Sequence, residues 1–177
     1  GGKSLIEKVM STSKIPMIKH LDGNCHVYID NKADQEMAFN ISINSKIQRY
    51  GVCNAMETLL IHKSFSKKCL KKILSTYSEN NVEIRGCRNI KKLHPVAKLA
   101  QEKDWSEEFL SPIISIKIVE SLNEAIEHIT KYGSLHTDAI VSDDKGSINQ
   151  FKKLVNSSSV MVNTSTRFAD GYEYGLG

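Results

Sequence analysis

Short β-prone runs alternate with amphipathic helices along most of this sequence, and that alternation restricts the fold more than any other feature. After the turn at Asp22-Gly23, His26-Val27-Tyr28-Ile29 reads as a strand. Residues 33–45, with Met37, Ala38, Ile41 and Ile43, read as a helix capped from Asp30 or Asn31. The pattern then repeats: strand 58–62, helix 65–78, strand 82–86, strand 113–119, helix 122–132, strand 138–141, helix 147–155 and strand 159–163. Strands separated by helices predict an α/β domain with a largely parallel sheet. Residues 87–107 are polar and poorly periodic and read as a loop, with one helical turn near Ile90 to Leu93. Ahead of this unit, Gly1-Gly2 leads into a helix carrying Leu5, Ile6, Val9 and Met10. Ile15-Pro16-Met17-Ile18 follows as a short strand beginning at proline, so this stretch resembles the tail of a further βαβ unit.

A chain of 177 residues is long enough to bury one core, and 40% apolar with 25% charged residues is ordinary for a folded globular protein. The net charge of +4 is diffuse except at Lys63, Lys67, Lys68, Lys71 and Lys72. The last four fall on one side of the 65–78 helix, opposite Phe65, Leu70, Ile73 and Leu74, and the cluster predicts a solvated face. The patch lacks interleaved aromatics for base stacking, so no nucleic-acid partner is expected. No apolar stretch approaches the about 18 residues that a membrane helix needs, and none is expected to enter a membrane. The four cysteines, Cys25, Cys53, Cys69 and Cys87, form no C-x-x-C pair and no zinc pattern. Free thiols in a reducing, cytoplasmic compartment are the simplest account, with no metal site.

Three segments carry a family resemblance. Gln48-Arg49-Tyr50-Gly51-Val52-Cys53-Asn54-Ala55-Met56-Glu57-Thr58-Leu59-Leu60 resembles the nucleophile segment of γ-glutamyl phosphate reductases, members of the aldehyde dehydrogenase superfamily. Val119, Ala125 to Ile129 and Tyr132-Gly133-Ser134-Leu135-His136-Thr137-Asp138-Ala139-Ile140 resemble a second signature. Asn163-Thr164-Ser165-Thr166-Arg167-Phe168-Ala169-Asp170-Gly171, closing on Tyr174-Gly175-Leu176-Gly177, is similar to the substrate-side loop of that family. The segments occur in family order and the likeness spans essentially the whole chain. It implies a three-layer αβα catalytic domain over residues 23–177, with residues 1–22 a C-terminal remnant of a cofactor-binding domain. Further segments on either side, and a homo-oligomer for the full-length protein, are implied as well.

The activity implied by the resemblance is NADPH-dependent reduction of L-glutamate 5-phosphate to L-glutamate 5-semialdehyde and phosphate, a step towards proline. Such chemistry needs a soft nucleophile, a stabilised oxyanion and a hydride over a thioester. Cys53 is the expected nucleophile, its thiol to be lowered by a positive field, with Arg49 four residues earlier. Cys25 is the second choice. Arg167 suits a bidentate grip on the substrate carboxylate or contact with its phosphate. Asn163, Thr164, Ser165, Thr166 and Asn54 add neutral substrate contacts. Arg49 either meets the leaving phosphate or forms a structural ion pair.

Glu107-Glu108-Phe109-Leu110-Ser111-Pro112 resembles the superfamily stretch whose glutamate holds the nicotinamide ribose. Glu108 is the implied contact, although Leu110 and Ser111 depart from the pattern. Gly1 and Gly2 resemble the glycine turn near NADP(H). Hydrolytic relatives place a water-activating glutamate before a Leu-Gly-Gly turn; here Leu21-Asp22-Gly23 is preceded by His20, which fits a reductase whose thioester must not meet activated water. His20 is structural or lines the site, and His136 is expected to make an architectural hydrogen bond. The competing reading from another class is a non-catalytic interaction module that keeps the fold.

Overall fold

The computed structural model describes residues 3–15 and 22–175. The predicted strand at 15–18 falls largely outside these residues, as do Gly1, Gly2, His20, Leu21, Leu176 and Gly177. A first helix, α1, spans Lys3–Thr12. From there β1 (Cys25–Ile29), α2 (Gln35–Ile47), β2 (Met56–His62), α3 (Lys67–Glu79), β3 (Glu83–Gly86), α4 (Arg88–Leu93) and β4 (Lys98–Leu99) follow in order. After a 3-10 turn at Glu102–Trp105 come β5 (Ile113–Val119), α5 (Leu122–Tyr132), β6 (Thr137–Val141), α6 (Lys145–Leu154) and β7 (Ser159–Val162).

The seven strands form one sheet in the order β4-β3-β5-β2-β1-β6-β7, and every pairing is parallel. Strands added after β1 extend one way through β2 and β3, whereas β6 and β7 are added on its other side. Right-handed crossovers running in opposite directions along a sheet must put their helices on opposite faces. The burial pattern follows that rule. Val27, Ile29, Leu59, Ile61, Ala139 and Val141 pack with α2 and α3 in the larger core. Their neighbours Tyr28, Leu60 and Ile140 point the other way, against Ala125, Ile126 and Ile129 of α5 and Phe151 of α6. With both faces covered, each fully buried aliphatic side chain contributes about 1.5–3 kcal/mol. The result is the expected three-layer αβα sandwich.

Helix α3 shows the sequence logic most plainly. Cys69, Leu70, Ile73, Leu74 and Tyr77 are buried along it while Lys67, Lys68, Lys71 and Lys72 stay in water, and the Ser66 side chain caps its first turn. Elsewhere the boundaries move. Helix α2 is capped by Asp34, which accepts the Met37 N–H at 2.8 Å, and neither Asp30 nor Asn31 does so. Asp30 is instead buried, taking bonds from the Tyr28 and Ser142 hydroxyls at 3.0 and 2.6 Å. The 87–107 segment holds more structure than its polarity predicts: α4 rests a single buried residue, Ile90, against Gly86, where a β-carbon would meet its Cγ2 at 2.3 Å. Arg85 then orders the chain leading to β5. It pairs with Asp104 at 2.7 Å and lies over the Phe109 ring, 5.0 Å from its centroid.

Candidate active site

Cys53 lies in the turn between α2 and β2, at the amino end of the sheet, and is exposed. The turn is closed by the Ala55 N–H on the Val52 carbonyl at 3.0 Å. Two residues at the start of β1 support it from below. The Cys25 thiol donates to the Cys53 carbonyl at 3.2 Å, and Gly23 packs against the Cys53 backbone so closely that no side chain fits between them. Cys25 is fully buried, and burial pushes its thiol well above the ordinary cysteine range, with Asp138 adding to the rise. It is therefore a bolster for the turn and not a competing nucleophile.

Asn54 fastens the turn to the far end of the chain. Its buried side chain donates to the Arg167 and Ala169 carbonyls at 3.4 and 3.1 Å. The segment after β7 reaches this point by running along α2. Asn163, at φ +54°, exchanges two side-chain bonds with the Ser142 backbone at 2.9 and 3.0 Å. Ser165 meets the Ser45 hydroxyl at 3.0 Å and accepts the Arg167 N–H at 3.2 Å. Arg167 then turns inward, its Nε donating to Gln48 Oε1 at 2.8 Å. One of its terminal nitrogens, Nη1, is buried with no hydrogen-bond partner among the described residues, and so is the Thr166 hydroxyl. Buried donors of this kind are costly unless an acceptor arrives, which makes this corner suited to an anion. Beside it is a hollow of about 290 Å³ shared by Arg167, Gln48, Asn44, Asp170 and Glu173.

Glu108 enters from a third direction. Its carboxylate accepts the Gly23 N–H at 2.8 Å, which fixes it beside the Cys53 turn. The electrostatics of Cys53 register both neighbours. Burial raises its thiol, Glu108 raises it further, Arg167 pulls it down, and Asp170 adds a smaller rise. The expected lowering of the resting thiol is thus not what the fold provides. The cation acting on the sulfur is Arg167; Arg49 is exposed and has no ion pair among the described residues.

Of the residues expected at the site, Cys53, Glu108 and Arg167 converge on one turn, with Thr166 next to them. Asn54, Asn163 and Ser165 use their side chains to hold the backbone, and Thr164 is half-buried on the wall of a separate cleft of about 490 Å³ along α2. His136 is within 2.9 Å of the Thr137 hydroxyl and 3.7 Å of the Cys25 sulfur, an architectural setting. Sequence reasoning missed one feature altogether. Lys46 of α2 and Glu57 of β2 form an ion pair at 2.5 Å with both side chains fully buried, directly behind the Cys53 turn. Burial pushes Glu57 up to about 7 against the pull of Lys46, and lowers Lys46. A charged residue inside a strand as buried as Met56–His62 is the one local sign of it.

No protein-family model matches the chain. Among solved structures it is similar to a γ-glutamyl phosphate reductase from Thermotoga maritima, with 39% identity and a TM-score of 0.92 over 99% of this chain and 42% of that one. A γ-glutamyl phosphate reductase from Saccharomyces cerevisiae is 38% identical, with a TM-score of 0.65, over 99% of this chain and 44% of the yeast protein. An acetylating aldehyde dehydrogenase from Geobacillus thermoglucosidasius, at 23% identity and a TM-score of 0.74, shares the fold over 98% of this chain and 47% of its own. The chain therefore spans under half the length of the solved relatives it matches.

Proposed function

Because the chain belongs to the γ-glutamyl phosphate reductase family of the aldehyde dehydrogenase superfamily, we propose that it carries the nucleophile of an NADPH-dependent reductase of L-glutamate 5-phosphate acting in cytoplasmic proline synthesis. The observation that carries this reading is the convergence of Cys53, Glu108 and Arg167, from three distant segments, on one exposed turn. An acyl phosphate is already activated and needs little general acid–base help, which suits a site whose described groups near the sulfur are one cation and a few carboxylates.

Arg167, with a buried donor that has no partner among the described residues, would draw the anionic substrate to the turn and favour the Cys53 thiolate. The thiolate attacks the acyl carbon, the carbon–oxygen bond to phosphate breaks, and phosphate leaves with the bonding pair, so that a thioester remains on Cys53. Glu108 is positioned to take ribose hydroxyls beside that thioester, since its carboxylate is fixed on Gly23 next to the sulfur. A nicotinamide dinucleotide bound there would supply hydride to the acyl carbon. Cleavage of the sulfur–carbon bond then releases the semialdehyde and restores the Cys53 thiolate.

The test uses the full-length protein in the reverse direction, with glutamate 5-semialdehyde and NADP⁺. NADPH formation that requires phosphate is the expected result. Equal formation with coenzyme A replacing phosphate, or none under any condition, would contradict the assignment.

A further inference from the structure

We infer that Glu57, anchored by Lys46, is a positioning residue that holds the 107–112 loop, with Glu108 on it, against the Cys53 turn. One Glu57 oxygen lies 2.5 Å from Lys46 Nζ, and the other accepts the Leu110 N–H at 3.2 Å. Leu110 needs such a hold. Its φ of +50° lies in the left-handed region that leucine disfavours, and its side chain is exposed, so packing of that side chain does not fix it. The loop also runs beside the nucleophile turn: a β-carbon added to Gly51 would stand 3.9 Å from the Leu110 carbonyl oxygen.

These contacts close a circuit. Cys53 leads along the chain to Glu57, Glu57 binds Leu110, and Glu108 two residues earlier accepts the Gly23 N–H. Gly23 in turn rests on Cys53. Stability alone does not account for the ion pair, because a buried pair of charges adds little over an apolar pair of similar volume. What an apolar pair lacks is an acceptor for Leu110. The functional consequence rests on the reading of Glu108 as the ribose contact, and the experiment separates the two.

In the full-length protein, Lys46→Met/Glu57→Leu removes charge and acceptor together, while Lys46→Met/Glu57→Gln removes the charge and keeps an acceptor. Leu110→Pro, on the exposed loop, deletes the donor and forbids the positive φ without disturbing the core. Amide hydrogen exchange over 107–112 should become fast in the Leu double variant and in Leu110→Pro, and stay slow in the Gln variant. The KM for NADPH should rise about tenfold in the first two, the loss of roughly one hydrogen bond's positioning. Unchanged exchange in a folded Leu double variant and in Leu110→Pro would overturn the inference. Fast exchange with an unaltered KM for NADPH would uphold it and remove Glu108 from the cofactor site.

Discussion

Gly23 rests directly on Cys53: a β-carbon at residue 23 would stand 2.0 Å from the Cys53 carbonyl oxygen and 2.5 Å from its α-carbon. Backbone atoms cannot swing aside as a side-chain tip can, so Gly23→Ala must shift the Cys53 turn itself. The substitution should lower unfolding stability by about 1–3 kcal/mol and remove most activity of the full-length protein. Gly171→Ala is the control, since nothing lies within 4 Å of the added carbon there. Denaturant titration of both variants checks this; equal behaviour would show that the contact is not a constraint.

The charges around Cys53 pull in opposite directions, and that gives a signed prediction. Glu108 raises the thiol and Arg167 lowers it. Glu108→Gln should therefore speed alkylation of Cys53 at neutral pH and move the alkylation midpoint down. Arg167→Gln should slow it and move the midpoint up. Iodoacetamide labelling followed by peptide mass spectrometry resolves Cys53 from the buried Cys25 and Cys69. Shifts of the same sign in the two variants would contradict the electrostatic account.

His128 should make the fold acid-sensitive. It is buried between Trp105, Tyr132 and His26, neither ring nitrogen has a hydrogen-bond partner among the described residues, and burial, with His26, Lys117 and Lys131 nearby, pushes it from 6.5 down to about 2. The unfolded chain takes up a proton on this ring below its ordinary value, and the folded one does not. Stability is therefore present above that value and drains away as pH falls. Relative to His128→Phe, the wild type should lose about 2 kcal/mol between neutral pH and about pH 5. Parallel stability profiles for the two proteins would refute a neutral buried His128.

Legibility in the sequence followed the range of the interactions. Strands β1, β5 and β6 and helix α5 were readable because each buries side chains in a local rhythm, such as Ala125, Ile126 and Ile129 on α5. Helix α4 was legible only as one turn near Ile90 to Leu93, because its one fully buried side chain, Ile90, sets up no period. The cap of α2 was misassigned because Asp30, Asn31 and Asp34 are all competent caps, and the choice was decided by Tyr28 and Ser142 claiming Asp30. At the candidate site, family motifs single out Cys53, Glu108 and Arg167, and the fold brings these three to one turn. The Cys25 thiol on the Cys53 carbonyl and the Lys46–Glu57 pair join residues 28 and 11 positions apart and leave no periodic mark. Asn54, Asn163 and Ser165 had the right chemistry for substrate, but the backbone of the 163–170 segment engages them first.

The central claim is a covalent one, that the acyl group passes through the sulfur of Cys53. The most direct measurement incubates the full-length protein with glutamate 5-semialdehyde and NADP⁺ in the absence of phosphate, quenches in acid, and maps acylated peptides by mass spectrometry. The account predicts a glutamyl thioester on Cys53 that disappears when phosphate is added and never forms in Cys53→Ala. An adduct on Cys25 or Cys87, or undiminished turnover by Cys53→Ala, would contradict it.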